Sequence, residues 1–173
     1  MGKVLVAYYS TSEKNKTTNE DRIVSELSKL FHSKGFAVKK LLLAPKKNIN
    51  LNKQFKQEKT IELKEKLPPM KGLDFLVVGT PIVGSLSSAP LVNAFIRLIS
   101  KDKKSLGKFP KVVLFSSGII HGFELKKMAS LFSMFGIKPV DSQAFTSIFD
   151  FDEKKLVEIR NFFERFIQKS LEA

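Results

Sequence analysis

Residues 3–20 have the sequence KVLVAYYSTSEKNKTTNE. Their first part, Val4 to Tyr9, is an uninterrupted apolar run, which is typical of a strand buried on both faces of a sheet. A loop rich in hydroxyl groups and lysines follows, and then IVSELSKLF has the spacing of an amphipathic helix. The chain thus passes from a buried strand to a helix through a loop that is either a phosphate-binding loop or only a polar turn.

The helix after this loop carries a start signal and a stop signal. Thr17 and Glu20 have the spacing of a capping box, in which a hydroxyl and a carboxylate satisfy free amides at a helix start. Gly35 follows the last apolar position and predicts the helix end.

The alternation of strand and helix occurs five times. Further strands are predicted at residues 36–43, 73–79, 111–117 and 138–145. In the lysine-rich connection after the second strand, residues 55–67 are the best helix candidate, and Asp152 is the expected N-cap of the last helix. We therefore predict one domain over residues 1–173, with a three-layer, doubly wound α/β fold around a five-stranded parallel sheet.

Three loops leave the carboxyl ends of these strands, where parallel α/β sheets bind their ligands. They span residues 10–18, 80–88 and 116–122, and all are rich in Ser, Thr or Gly. They carry few apolar residues that a core could use, so we take them as the candidate ligand site.

At these loops the sequence resembles the flavodoxin family. The segments KVLVAYYS, DFLVVGTPIVGSLSSAPLVNAFI and VVLFSSG are similar to the strands and flavin loops of its short-chain type, and the match covers nearly the whole chain. The resemblance implies a sheet of order 2-1-3-4-5, non-covalently bound FMN, and transfer of one or two electrons.

The first loop departs from the family pattern, because it lacks the usual glycine and is longer. Its hydroxyls and Asn15 still supply donors for a phosphate, and Lys14 and Lys16 supply positive charge, provided that Glu13 points to solvent. By resemblance, the expected FMN contacts are Ser10, Thr11, Ser12, Lys14, Asn15, Lys16, Thr17, Thr18, Thr80, Pro81, Ile82, Val83, Gly84, Ser116, Ser117, Gly118 and His121.

Several of these positions have a plainer alternative. Ile82 and Val83 stand where the family often stacks an aromatic ring on the flavin. Gly84 either permits the peptide flip that the family implies or is a turn glycine, and His121 either contacts the flavin or is merely solvated. No catalytic acid–base pair, Ser-His-acid arrangement or metal cluster is apparent.

Positive charge is concentrated in two segments of a chain whose net charge is +13. Residues 39–71 hold ten lysines and three glutamates, and residues 101–111 hold five lysines and one aspartate. The excess indicates either a solvated face or a docking site for an acidic redox partner, such as a ferredoxin-like protein or a reductase. Nucleic acid is a poorer candidate, because specific base recognition favours arginine and the chain has four.

The remaining composition bounds the compartment and the function. The chain has no cysteine, which excludes disulfides and a thiol nucleophile, and no apolar run approaches the ~20 residues of a membrane span. We expect a cytoplasmic protein. Its expected function is electron transfer or oxidoreduction with FMN, as a carrier or as an NAD(P)H oxidoreductase. The alternative is a flavin-free module that binds an acidic partner through its lysines.

Overall fold

A computed structural model describes residues 1–11, 16–83 and 87–172. The strands are β1 (Gly2–Tyr8), β2 (Phe36–Leu42), β3 (Phe75–Val83), β4 (Ser87–Ser88), β5 (Lys111–Gly118) and β6 (Asp141–Thr146). The helices are α1 (Asn19–Ser33), α2 (Leu51–Lys56), α3 (Pro90–Lys101), α4 (Lys103–Leu106), α5 (Glu124–Ser133) and α6 (Glu153–Glu172).

Five parallel strands form the sheet in the order β2-β1-β3-β5-β6. This is the predicted 2-1-3-4-5 order once β4, two residues long, is set aside, because β4 only pairs antiparallel with the end of β3. Alternate residues of β1 face opposite sides. Leu5 packs in the cluster that contains α3 and α5, whereas Val4 packs in the cluster that contains α1 and α6. Helices cover both faces, and the predicted doubly wound α/β fold is confirmed.

Phenylalanine fills the layer between the sheet and the pair α1 and α6. The Phe75 ring centroid lies 5.8 Å from that of Phe31 and 5.3 Å from that of Phe166, and Phe115 lies 6.3 Å from Phe163 edge-on. Such pairs contribute about 0.5–1.5 kcal/mol beyond the area that they bury. This layer fixes α1 against the sheet, and with it the loop that precedes α1.

The predicted helix at residues 55–67 is wrong. Helix α2 covers Leu51–Lys56. Its N-cap is Asn50, whose side chain accepts a hydrogen bond from the Lys53 amide at 2.9 Å, and a turn follows the helix. Beyond that turn the half-buried residues alternate with exposed ones from Ile61 to Leu67, which is the period of extended chain. A bridge between Pro45 and Leu63 holds this stretch.

Two local predictions are also corrected near the carboxyl edge of the sheet. The capping box of α1 is formed by Thr18 and Asp21 rather than by Thr17 and Glu20. Residues 80–83 are not loop, because β3 continues to Val83 and pairs with β4. By contrast, the predicted N-cap of α6 is confirmed, since Asp152 accepts a hydrogen bond from the Lys155 amide at 2.9 Å. Among the described residues, no helix is long and apolar enough to cross a membrane.

Candidate functional site

A cleft of about 830 Å³ opens at the carboxyl edge of the sheet. The start of α1, the end of β5 and the connection from β6 to α6 form its walls. Its lining residues are Thr11, Lys16, Thr17, Thr18, Asn19, Glu20, Ser117, Gly118, Ile119, Ser147, Ile148, Phe149 and Asp150. The volume lies within the ~300–1,000 Å³ of small-molecule sites.

The α1 end of the cleft is suited to an anion. The amides of Asn19 and Glu20 occupy the first turn of α1, where a helix offers them no internal partner. Lys16 and Thr17 are exposed beside them and add an ammonium group and a hydroxyl. The positive end of the helix dipole reinforces this potential.

The start of α1 is held in place by Tyr8, Thr18 and Asp21. The Asp21 carboxylate accepts hydrogen bonds from the Thr18 amide at 3.0 Å and from the Tyr8 hydroxyl at 3.2 Å. Burial, with the neighbouring Asp21 charge, raises the pKa of Tyr8 to about 12. Tyr8 therefore stays protonated at physiological pH and remains a donor to Asp21.

A buried carboxylate that the sequence marks only as a capping-box partner lines the cleft. Glu20 is 6% exposed, and its Oε1 accepts a hydrogen bond from the Ser117 hydroxyl. A carboxylate in the first turn of a helix is common because it complements the helix dipole, so the pattern gives Glu20 no role beyond the helix start. In the fold, it joins α1 to the end of β5.

The preceding serine is bonded to a second buried carboxylate. Ser116 donates its hydroxyl proton to Glu124 at 2.8 Å, and Glu124, fully buried at the start of α5, also accepts the Gly122 amide at 2.7 Å. His121 Nδ1 is 3.8 Å from the same carboxylate. Because Ser116 and Ser117 point to opposite faces of the sheet, each bonds a helix on its own side. Glu124 thus holds the loop that leaves β5.

Part of the cleft lining is apolar. It consists of Ile119, Ile148 and Phe149, which are 66%, 75% and 78% exposed. The wall that carries Phe149 is tied to α1, because the Asn19 side chain bonds the Phe149 carbonyl at 3.2 Å and the Phe151 amide at 2.9 Å. Residues 147–150 were missed from the sequence, although the end of β6 meets the same sheet edge as the three loops considered.

The predicted site residues are only partly brought together. Among the described ones, those that line the cleft are Thr11, Lys16, Thr17, Thr18, Ser117 and Gly118. Ser12, Lys14, Asn15 and Gly84 lie outside the described residues. The predicted residues that do not line the cleft are Ser10, Thr80, Pro81, Ile82, Val83, Ser116 and His121.

Two of the residues away from the cleft have local bonding roles. The Ser10 hydroxyl lies 2.9 Å from the Thr18 hydroxyl. The buried Thr80 hydroxyl accepts the Ala89 amide at 2.9 Å and donates to the Pro81 carbonyl at 2.8 Å, so it links β3 to the start of α3. Ile82 borders the cleft indirectly, because a Cβ added to Gly118 would lie 2.9 Å from the Ile82 side chain.

Comparison with known proteins shows which solved structures share this fold. No protein-family model and no curated protein sequence matches the chain. A solved azoreductase from Bacillus anthracis str. Sterne matches with a TM-score of 0.59 and 16% identity, over 100% of both chains. A flavodoxin from the domain Archaea matches with a TM-score of 0.54 and 15% identity, over 97% of this chain and 98% of that one. The fold is flavodoxin-like.

A third structure has the same flavodoxin-like fold. The flavodoxin, WrbA-like protein from Agrobacterium tumefaciens matches with a TM-score of 0.61 and 12% identity, over 99% of both chains. In a flavodoxin-like sheet the strand order reverses between β1 and β3, and ligands bind at that switch point. The start of α1, the helix that follows β1, lines the cleft described above.

Proposed function

We propose that this protein binds FMN non-covalently in the cleft and acts in electron transfer or as a flavin-dependent oxidoreductase. The supporting observation is the set of groups that line one cleft. They are the free amides and the Lys16 ammonium at the start of α1, the hydrogen-bonded pair Glu20 and Ser117, and the apolar side chains of Ile119, Ile148 and Phe149. These three kinds of group suit the phosphate, the ribityl chain and the ring of FMN, respectively.

The residues present fit each part of this ligand. The amides of Asn19 and Glu20, with Lys16 and Thr17, would hold the phosphate. The Glu20 carboxylate would accept hydrogen bonds from ribityl hydroxyls, and Ser117 holds that carboxylate in place. Flavodoxin-like folds hold FMN at the β1–β3 switch point, and α1, which follows β1, forms one wall of this cleft.

The apolar residues of the cleft would supply the surroundings of the ring. Phe149 provides an aromatic face, and Ile119 and Ile148 add aliphatic surface. When bound, the flavin supplies the capacity to take up and release one or two electrons. The protein would contribute binding, orientation and exclusion of water, which agrees with the lack of an acid–base pair in the sequence.

Whether the protein is a carrier or a reductase is a matter for kinetics. A carrier should be reduced slowly by nicotinamide and rapidly by a partner protein. An NAD(P)H oxidoreductase should be reduced rapidly by the nicotinamide itself. Stopped-flow absorbance at the flavin band distinguishes these two cases directly.

Our first prediction concerns the phosphate. Added FMN should lose its fluorescence on binding, with a dissociation constant of about a micromolar or below. Replacing Lys16 and Thr17 together with alanine should weaken FMN about tenfold or more but leave riboflavin nearly unchanged, because only FMN carries the phosphate. The measurement is a fluorescence titration of both ligands.

A matched control replaces Lys39 and Thr60 with alanine, since both side chains are exposed and neither lines the cleft. This variant should bind both flavins as the wild type does. Equal weakening of FMN and riboflavin by the Lys16 and Thr17 changes would place the phosphate elsewhere. Failure of the wild type to bind either flavin would favour the flavin-free module.

A further inference from the structure

A second groove lies on the α3 and α5 side of the sheet and has a volume of about 420 Å³. Its lining residues are Phe55, Lys56, Gln57, Glu58, Lys59, Thr60, Arg97 and Lys127. We call it the basic groove. It contains four cations and one carboxylate, a net charge of 4 − 1 = +3.

The carboxylate organises the cations around it. Glu58 is mostly buried, and its two oxygens lie 3.1 Å from an Arg97 nitrogen and 3.2 Å from the Lys127 ammonium. Glu58 therefore fastens the lysine-rich turn after α2 onto α3 and α5. Lys56 and Lys59 flank it, are exposed, and form no ion pair with any residue that the structure describes. Their charges face solvent, on a turn that Glu58 holds against α3 and α5.

An exposed apolar surface adjoins this groove. The Lys127 amide bonds the Phe123 carbonyl at 2.9 Å, so the two residues share one face of the start of α5. Phe123 is 66% exposed and Ile120 is 57% exposed. An aromatic residue beside a ring of charges is typical of protein interfaces, whose centre is apolar and whose rim is polar.

The groove and the candidate flavin cleft lie on the two sides of one short loop. Ile119 lines the cleft, and Phe123 lies at the edge of the basic groove. Four residue steps separate them, so their Cα atoms are at most about 14 Å apart. A protein docked on Phe123 would therefore sit next to the mouth of the cleft.

We propose that the basic groove and Phe123 together dock an acidic electron-transfer protein. The proposal rests on the proposed flavin function, since it supplies the partner that exchanges electrons at the same site. Charge complementarity selects a partner with a carboxylate-rich patch, and the apolar residues Phe123 and Ile120 favour a protein surface over nucleic acid. Within the lysine-rich segment 39–71, the lysines proposed to contact the partner are therefore Lys56 and Lys59.

The test measures docking directly, on the full chain without added flavin. An acidic [2Fe–2S] ferredoxin is immobilised, and binding is followed by surface plasmon resonance at several salt concentrations. Replacing Lys56 and Lys59 with glutamine should raise the dissociation constant about tenfold at low salt and flatten its salt dependence. The matched control replaces Lys39 and Lys40, two exposed lysines of β2 outside the groove, and should change it less than about twofold.

Phe123→Ser provides a second variant, since it removes the apolar contact without changing charge. It should weaken binding at all salt concentrations alike. Equal effects of the two lysine pairs, or no binding by the wild type at low salt, would overturn the proposal. So would displacement of the ferredoxin by an equimolar DNA duplex.

The flavin proposal is judged separately, by the flavin titration. Docking without flavin binding would leave the groove in place and refute the flavin proposal. Flavin binding without docking would refute the docking proposal and leave the flavin proposal in place.

Discussion

At the scale of single residues, Gly79 shows how tightly the sheet is packed below the cleft. Gly79 pairs with Phe115 across β3 and β5, and a Cβ added to it would lie 2.0 Å from the Phe115 ring. The φ angle of Gly79 is not positive, so the constraint is one of space and not of backbone conformation.

Gly79→Ala should therefore destabilise the protein by about 1–3 kcal/mol, because the Phe115 ring must move against Phe163. Denaturant unfolding followed by circular dichroism measures the change. Adding Phe115→Leu to Gly79→Ala should recover part of the loss relative to the sum of the single changes, since the smaller side chain relieves the overlap. A Gly79→Ala protein as stable as the wild type would contradict this packing argument.

Single residues also mark where prediction from the sequence ends. The strands β1, β3 and β5 were predictable because strands buried on both faces are continuous apolar runs. The bond between Glu20 and Ser117 was not, because it joins residues 97 positions apart and depends on how α1 docks. Neither was the position of Phe149, which lies beside α1 only through the bonds that Asn19 makes.

At the scale of elements, two lysines of the basic segment 101–111 serve helix ends. The Lys103 ammonium donates to the Phe135 carbonyl at 3.3 Å and to the Gly136 carbonyl, just beyond α5. The Lys111 ammonium donates to the Ser170 carbonyl near the end of α6. A cation at a helix carboxyl end complements the helix dipole, so this part of the charge excess has a structural role.

Lys103→Met should lower the free energy of unfolding by about 1 kcal/mol, because the carbonyls of Phe135 and Gly136, just beyond α5, lose their donor while the aliphatic stem is kept. Lys104→Met is the matched control, since Lys104 is an exposed neighbour whose side chain bonds none of the described residues. Thermal or denaturant unfolding of both variants measures the loss of stability in each. A loss of equal size in both would mean that charge alone, and not the contact, is responsible.

An ion pair between α1 and α6 makes the stability of the contact between these two helices depend on pH. Glu26 accepts a hydrogen bond from Lys29 at 2.9 Å and from Arg160 of α6 at 2.9 Å. These bonds, that of Lys29 first, lower the pKa of Glu26 below its ordinary value of 4.5. A carboxyl whose pKa is lower in the folded state stabilises the fold above its unfolded pKa and loses that contribution as pH falls through the folded pKa.

Stability should accordingly decline on acidification below about pH 4.5, and Glu26→Gln should show a smaller decline over that range. Urea unfolding at pH 7 and at pH 3 measures both proteins. Glu158→Gln is a suitable comparison, because Glu158 is a more exposed carboxylate that pairs with Lys155 within α6 and joins no second element. Identical pH profiles for Glu26→Gln and the wild type would remove Glu26 from this account.

At the scale of the whole molecule, the lysines fall into groups with different roles. Lys103 and Lys111 bond helix ends, Lys46 pairs with Glu62 at 2.8 Å, and Lys56 and Lys59 border the basic groove. Of these, only Lys56 and Lys59 are exposed, lie in the basic groove and have no ion pair within the described chain. The net charge alone could not separate these groups, because it is a sum over positions that the fold distributes to different surfaces.

The end position of β2 in the sheet has a consequence for how the chain behaves at high concentration. β2 pairs with β1 on one side, and no described strand pairs with its other side, so the backbone groups there can accept a strand from another molecule. Lys39 and Lys40 stand exposed on this strand. Two molecules that paired there would bring like charges together, and lysines on edge strands are a recognised protection against such aggregation. This protection should weaken as added salt screens the charges, so storage in concentrated salt works against the solubility of this protein.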